Sequence, residues 1–283
     1  MTETPIIDAH VHVFQPTIDY PWIQGEFQNL WPPAPPESIL QELQRHDVAG
    51  AILIQAVSDP AETVALLRLG EHEPLVKGVV GWLDLTALGR ARDSMQLDSL
   101  NARSLLVGLR HQLTDEDNAN WIANPSIVSS LRVVAGRGLA FDLLITQREL
   151  PSVIEVARAV PDLTLIVDHC AKPDLKRELS VWRDELRQLA CIRPNIFCKL
   201  SGLATQAPSN EWSPELLLPY YESALDMFGP NRCMFGSDWP VAGLRGSYSD
   251  VIGLMEQVTA GLSRVERDQV LGGTASGAYG LLG

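Results

Sequence analysis

Two histidines flank Val11 in the stretch PIIDAHVHVFQP, near the start of a 283-residue chain. A β-strand alternates its faces, so His10 and His12 point the same way, about 7 Å apart along the strand. That spacing suits one shared ion, and it equally suits two polar side chains facing solvent or a polar core. Further polar residues close most of the other apolar runs: Gln55, Arg110 with His111, Asp142, His169, Lys199 with Ser201, and Asp238. Among these, His10, His12, His169 and Asp238 supply three imidazoles and a carboxylate, a set matched to a borderline divalent cation such as zinc. Such an ion leaves a position for water and lowers its pKa toward neutrality. Asp238 can then take the proton while a neighbouring cation polarises a carbonyl. This is the equipment of a hydrolase.

These residues work together only if their elements bring them to one place. Short apolar runs recur at even intervals: PIIDAH, AGAILIQA, LVKGVVGWL, LLVGLRH, GLAFDLLI, LTLIVDH, NIFCKLSG and RCMFGSDW. Between them, helical periodicity covers 36–46, 60–72, 87–103, 118–135, 149–159, 176–191 and 214–228. Asp59-Pro60, Asn124-Pro125 and Ser213-Pro214 read as helix starts. Apolar strands alternating with helices predict a parallel sheet covered on its outside, and eight of them predict an α/β fold of the (β/α)8 TIM-barrel type. In that fold the carboxyl ends of the strands converge on one mouth, which is where the polar residues fall. Residues 1–283 are read as one domain, with Val11 turned toward the helices. The aromatic- and proline-rich segment 13–35 lacks periodicity and is read as a lid over the mouth, with Trp22 expected against the substrate.

Composition narrows the partners. A formal charge of −13 opposes nucleic acid or an anionic membrane surface, since phosphate binding needs clustered Lys and Arg. No apolar run is long enough to span a bilayer, and MTETPIID lacks the parts of a signal peptide. A small-molecule partner and a cytoplasmic location are expected, and a homo-oligomer is compatible with the composition. The four cysteines, Cys170, Cys191, Cys198 and Cys233, show no C-x-x-C pair and are read as reduced thiols, with Cys170 packed on the strand face opposite His169.

The motifs DAHVH, YPWI, GLRHQLTDE, FDLLI, VDHCAKP, KLSGL, MFGSDWPV and LGGTASGAYGL run in order along nearly the whole chain. Together they resemble the sugar-lactonase-like branch of the amidohydrolase superfamily. The resemblance implies a metal-dependent-hydrolase-like barrel that opens small lactones, with His10, His12, His169 and Asp238 around the reacting centre and Asp238 activating water. It implies that Lys172, His111, Arg110 and Trp239 bind or polarise the substrate. The residue types agree: Arg110 and Lys172 are cations for a lactone oxygen or an acidic product, His111 can hydrogen-bond hydroxyls, and Trp239 offers a flat face. Gln55 is also placed among the substrate contacts. Many superfamily members carry a strand-four lysine that bridges two metals, whereas Arg110 and His111 end that strand here. This favours one divalent ion, zinc first, or catalysis without one. Thr274 stands where relatives usually show Asn.

Asp142 either touches substrate hydroxyls or orients Arg110 or a histidine, and Lys199 is an ion-pair partner of one of the carboxylates or a site residue. Two other readings compete with lactone hydrolysis: a non-oxidative aromatic acid decarboxylase on the same barrel, and an inert barrel that only binds.

Overall fold

A computed structural model describes residues 5–88, 91–102, 104–207 and 212–281. Its eight parallel strands are β1 (Ile6–Val11), β2 (Val48–Ile54), β3 (Val76–Gly81), β4 (Leu106–Gln112), β5 (Ala140–Leu144), β6 (Leu165–Val167), β7 (Ile196–Leu200) and β8 (Cys233–Phe235), paired in sequence order. The ring closes just past β8. Val11 bridges to Trp239, the His12 N–H donates to the Trp239 carbonyl (2.7 Å), and the Asp238 N–H donates to the His10 carbonyl (2.9 Å). The fold is therefore a (β/α)8 barrel, and its seam carries four of the site residues singled out above, His10, His12, Asp238 and Trp239.

Helices α1 (Pro36–Arg45), α2 (Pro60–His72), α3 (Ala91–Asn101), α4 (Pro125–Ala135), α5 (Leu150–Ala159), α6 (Leu179–Ala190), α7 (Pro214–Phe228) and α8 (Tyr248–Thr259) follow the strands. The Asp59 and Asn124 side chains accept the Ala61 and Ser126 amides and so cap α2 and α4. Ser213 precedes α7 without a side-chain cap. Of the predicted helix 87–103, positions 89, 90 and 103 lie outside the described residues.

A C-terminal unit has no counterpart in the periodicity reading. It comprises α9 (Arg264–Asp268), a π-helical turn (Gln269–Gly273) and α10 (Thr274–Ala278). Ala275 and Tyr279 join Ile7, Ala9, Ile52, Ile54, Val80, Val107, Ala140, Ile166 and Met234 in the barrel interior, so its floor is packed rather than open. Thr274 donates to the Pro230 carbonyl (3.0 Å), the local contact that the unusual residue makes.

Around the barrel a larger apolar layer joins strand exteriors to helices and includes Val11, as alternation predicts. Segment 13–35 packs Phe14, Ile18, Tyr20 and Leu30 against Ala56 and Val241. Its polar anchors are buried. Tyr20 donates to Glu62 (2.9 Å), whose other oxygen accepts the Ala56 and Val57 amides (2.8 and 3.1 Å), and the Trp22 indole donates to the Ala56 carbonyl (2.8 Å).

Candidate active site

At the carboxyl ends of the strands lies a cleft with about 800 Å³ of empty space. His12, Arg110, His169, Lys172 and Asp238 line one part. Gln112, Thr114, Asp115, Thr205 and Gln206 add polar groups, and Trp22, Phe27, Ala56, Leu144 and Val241 add apolar ones.

The β1 residues reach the site through an irregularity. Pairing with β2 slips between Asp8 and Val11, a bulge that lets His10 face inward directly after the interior residue Ala9. The Asp8 carboxylate holds that bend by accepting the His10 amide (3.1 Å), the Ser237 amide (2.8 Å) and the Tyr248 hydroxyl (2.9 Å). Asp238 follows β8 in a left-handed conformation, with φ 61°. Its Oδ1 lies 3.5 Å from His12 Nε2, 3.8 Å from His10 Nε2 and 4.0 Å from His169 Nε2.

His169 is delivered differently. β6 ends at Val167, and His169, Cys170, Ala171 and Lys172 form a left-handed turn with φ of 51°, 51°, 60° and 42°. Four consecutive non-glycine residues in that region store strain, each costing about 1–2 kcal/mol. The turn is held by Lys172 N–H to the His169 carbonyl (2.8 Å) and by the Trp182 indole to the Cys170 carbonyl (2.8 Å). It aims His169 and Lys172 into the same cleft. Cys170 is buried in the apolar layer as expected, but through this turn rather than through strand alternation.

On the next strand end, Ser201 Oγ sits 2.9 Å from His169 Nδ1. Gly202, at φ 67°, lets the imidazole approach so closely that a Cβ there would fall 2.3 Å from Nδ1.

Burial is the largest influence on both His10 and His169, holding their pKa values down, His169 to about 4, against the nearby carboxylates. Both imidazoles are neutral at physiological pH. Burial would raise Asp238, but His169, the hydrogen bond and charge of His12, and Lys172 outweigh it and hold the carboxyl below its usual range. Lys172 is lowered, first by burial. Its ammonium makes no hydrogen bond among the described residues and is available to a ligand.

The donor set fits a divalent ion. His12 Nδ1 lies 2.9 Å from the Ile54 carbonyl and must donate to it, so Nε2 is the nitrogen that faces the site. His10 and His12 Nε2 are 3.2 Å apart, near the ~3.4 Å edge set by tetrahedral Zn–N bonds of about 2.0–2.1 Å. His10, His12 and Asp238 together present ligand atoms within 4.8 Å of one another. His10, Asp168 and His169 form a second such group.

Asp168 is the main residue that strand-end reading missed. Fully buried, it binds Arg110 (2.9 Å) and lies 3.0 Å from Lys199 and 3.4 Å from His10 Nδ1. Burial would raise it, yet Lys199, His10 and Arg110 hold it well below the carboxylate range. Its signal in the sequence was plain alternation, two residues after the inward-facing Ile166.

Several expected substrate contacts are placed elsewhere. Alternation turns His111 away from Arg110. Its Nδ1 accepts the Trp82 indole (3.1 Å), its Nε2 donates to Glu116 (2.8 Å), and its ring stacks on Trp121, outside the cleft lining. Trp239 packs edge-on against Tyr248 and over Gly243. Gln55 is buried behind the cleft, donating to the Arg110 carbonyl (3.2 Å) and accepting the Arg110 guanidinium on its own carbonyl. Asp142 reaches neither substrate space nor Arg110; it accepts Lys199 and the Tyr279 hydroxyl (2.7 Å) inside the barrel. Lys199 is thus an ion-pair partner, with two carboxylates. Arg110, Lys172 and Trp22 do line the cleft.

Residues 7–281 match the sequence profile of the amidohydrolase family. The chain is 34% identical to an L-fucono-1,5-lactonase of Burkholderia multivorans over 97% of its own length and 96% of that protein. A crystal structure of an amidohydrolase from Burkholderia multivorans with bound zinc superposes with a TM-score of 0.90 at 33% identity, covering 98% of this chain and 100% of that one. A 2,6-dihydroxybenzoate decarboxylase from Rhizobium shares the barrel with a TM-score of 0.67, covering 98% and 99% of the two chains, but at 13% identity the likeness is one of fold alone.

Proposed function

The chain belongs to the amidohydrolase family, and on that premise we propose that it hydrolyses a sugar lactone, a 1,5-lactone of a six-carbon aldonic or deoxyaldonic acid before a 1,4-lactone. The observation that carries this reading is the convergence of three imidazoles on Asp238 Oδ1 at the edge of a cleft that also holds two cations. The lactonase among its relatives supports the substrate class.

His10, His12, His169 and Asp238 would hold one divalent ion, zinc first. When bound, it supplies Lewis acidity and a more acidic water. Asp238, ionised at neutral pH, accepts the proton of the attacking water as its oxygen adds to the lactone carbonyl carbon. Lys172 donates to the carbonyl oxygen as negative charge develops there, and Arg110 adds positive field from the wall behind it. The carbon–oxygen bond of the ring then breaks, and the ring oxygen leaves as a hydroxyl carrying the proton taken up by Asp238. The product is a hydroxy acid that ionises in solution. Trp22 and Phe27 face one side of the sugar while Gln112, Thr114, Asp115 and Gln206 offer hydrogen bonds to its hydroxyls.

A lactone panel read with a pH indicator, beside hydroxybenzoates read for carbon dioxide, tests the reaction class. Proton release from aldono-lactones without carbon dioxide release is expected. Asp238→Ala should lose about 10²–10⁴-fold in kcat with its circular dichroism unchanged. Near-normal turnover by that variant would sink the mechanism, and turnover of no lactone would return the chain to the reading of a binding protein.

A further inference from the structure

The hydrolysis described above leaves one buried cation without a task. Lys199 projects from β7 into the barrel with no exposed surface. Its Nζ lies 2.5 Å from Asp142 Oδ2, 3.0 Å from Asp168 Oδ1 and 3.3 Å from His10 Nδ1. An ammonium surrounded by two carboxylates and an imidazole nitrogen has the ligands of a metal ion rather than of an ordinary ion pair.

Two further observations bear on that position. His10, Asp168 and His169 bring ligand atoms within 4.8 Å of one another, a second donor group that shares His10 with His12 and Asp238. Asp142 Oδ1 is buried without a hydrogen-bond partner among the described residues, so that carboxylate keeps coordinating capacity that the ammonium, held on Oδ2, does not use. The charges also balance as they stand, since Asp142 and Asp168 face Lys199 and Arg110.

We propose that the Lys199 ammonium is a built-in substitute for a second metal ion, occupying a latent site between Asp142 and Asp168 behind His10 and thereby restricting the centre to one exchangeable divalent ion. Removing the lysine leaves two carboxylates with a single cationic partner and space where the side chain lay. A divalent ion can answer both at once. This inference rests on the reading of His10, His12, His169 and Asp238 as a metal site, and its test separates the two.

The experiment is zinc stoichiometry by native mass spectrometry, after a several-fold excess of Zn²⁺ has been added and removed by desalting, with thermal unfolding of the same samples. Wild type should hold one zinc per chain, and Lys199→Ala should hold two. Metal-free Lys199→Ala should melt below metal-free wild type and recover more on zinc addition. The paired variant Asp142→Asn/Lys199→Met, which removes one carboxylate together with the ammonium, should return to one zinc. One zinc in both wild type and folded Lys199→Ala overturns this inference alone, as does wild type holding two. Lys199→Ala that stays unfolded in excess zinc also overturns it, because the ion then does not replace the ammonium. Wild type holding none would remove the metal reading itself and this inference with it.

Discussion

Lys172 and His111 were both expected to act on the substrate, and their surroundings now separate them. The Lys172 ammonium faces the cleft with no partner among the described residues, whereas both nitrogens of His111 are committed to Trp82 and Glu116. Lys172→Ala should therefore lower kcat by about 10²–10³-fold, the scale for losing one donor to a developing oxyanion. His111→Ala should leave kcat within a few-fold and lower the melting temperature instead. Steady-state kinetics beside thermal unfolding checks both. Asp142 yields a pH prediction, because burial pushes its carboxyl up to about 6 against the pull of Lys199. The unfolded chain releases that proton near the ordinary value of about 3.9. Between the two values the native chain alone keeps it, so stability is greatest from this group below about pH 4 and falls as pH rises through about 6. Asp142→Asn should remove that part of the slope, which urea unfolding midpoints measured across the interval would show.

At the scale of elements, the left-handed turn from His169 to Lys172 is the costliest piece of backbone in the site. Ala171 takes φ 60° yet contributes no side chain to the cleft. Ala171→Gly relieves about 1–2 kcal/mol of left-handed strain while adding about 0.5–1 kcal/mol of chain entropy to the unfolded state. A net gain of up to about 1 kcal/mol in stability is expected, measured by denaturant midpoint. Segment 13–35 is a wall pinned by buried hydrogen bonds, with the Glu62 carboxylate joining Tyr20 to the end of β2. Tyr20→Phe removes one of those bonds without emptying the apolar cluster. Its effect should fall on KM more than on kcat, because Trp22 and Phe27 touch the cleft while the groups of the reacting centre come from other elements.

For the molecule as a whole, the apolar layers of the barrel do not depend on the metal centre. Zinc removal should therefore lower the melting temperature without unfolding the chain. Binding at about 1,000 times the dissociation constant adds about 4 kcal/mol, which corresponds to several degrees for a chain of this size. Calorimetry of chelated and zinc-reconstituted protein measures that difference. Among the described residues no helix is long and apolar enough to cross a membrane.

The barrel was legible in the chain because strand and helix periods are local properties: eight apolar runs separated by helical stretches allow few other folds. The meeting of His10, His12, His169 and Asp238 was legible for the same reason, since the ends of parallel strands in a closed barrel must share a mouth. What local pattern could not supply was the direction in which each side chain points. A bulge after Asp8 turns His10 inward, and a left-handed turn carries His169 and Lys172 into the cleft; His111, taken out of it by plain alternation, is the exception that the pattern does supply. The partners of Asp168, Lys199 and Asp142 were hidden as well, because they come from β4, β5, the turn after β6, β7 and the residue after α10, far apart in sequence. Residue types and periods announce a barrel with a hydrolytic mouth; which of its polar residues face a ligand and which neutralise one another is a matter of long-range packing, where burial obliges every charge to find a partner.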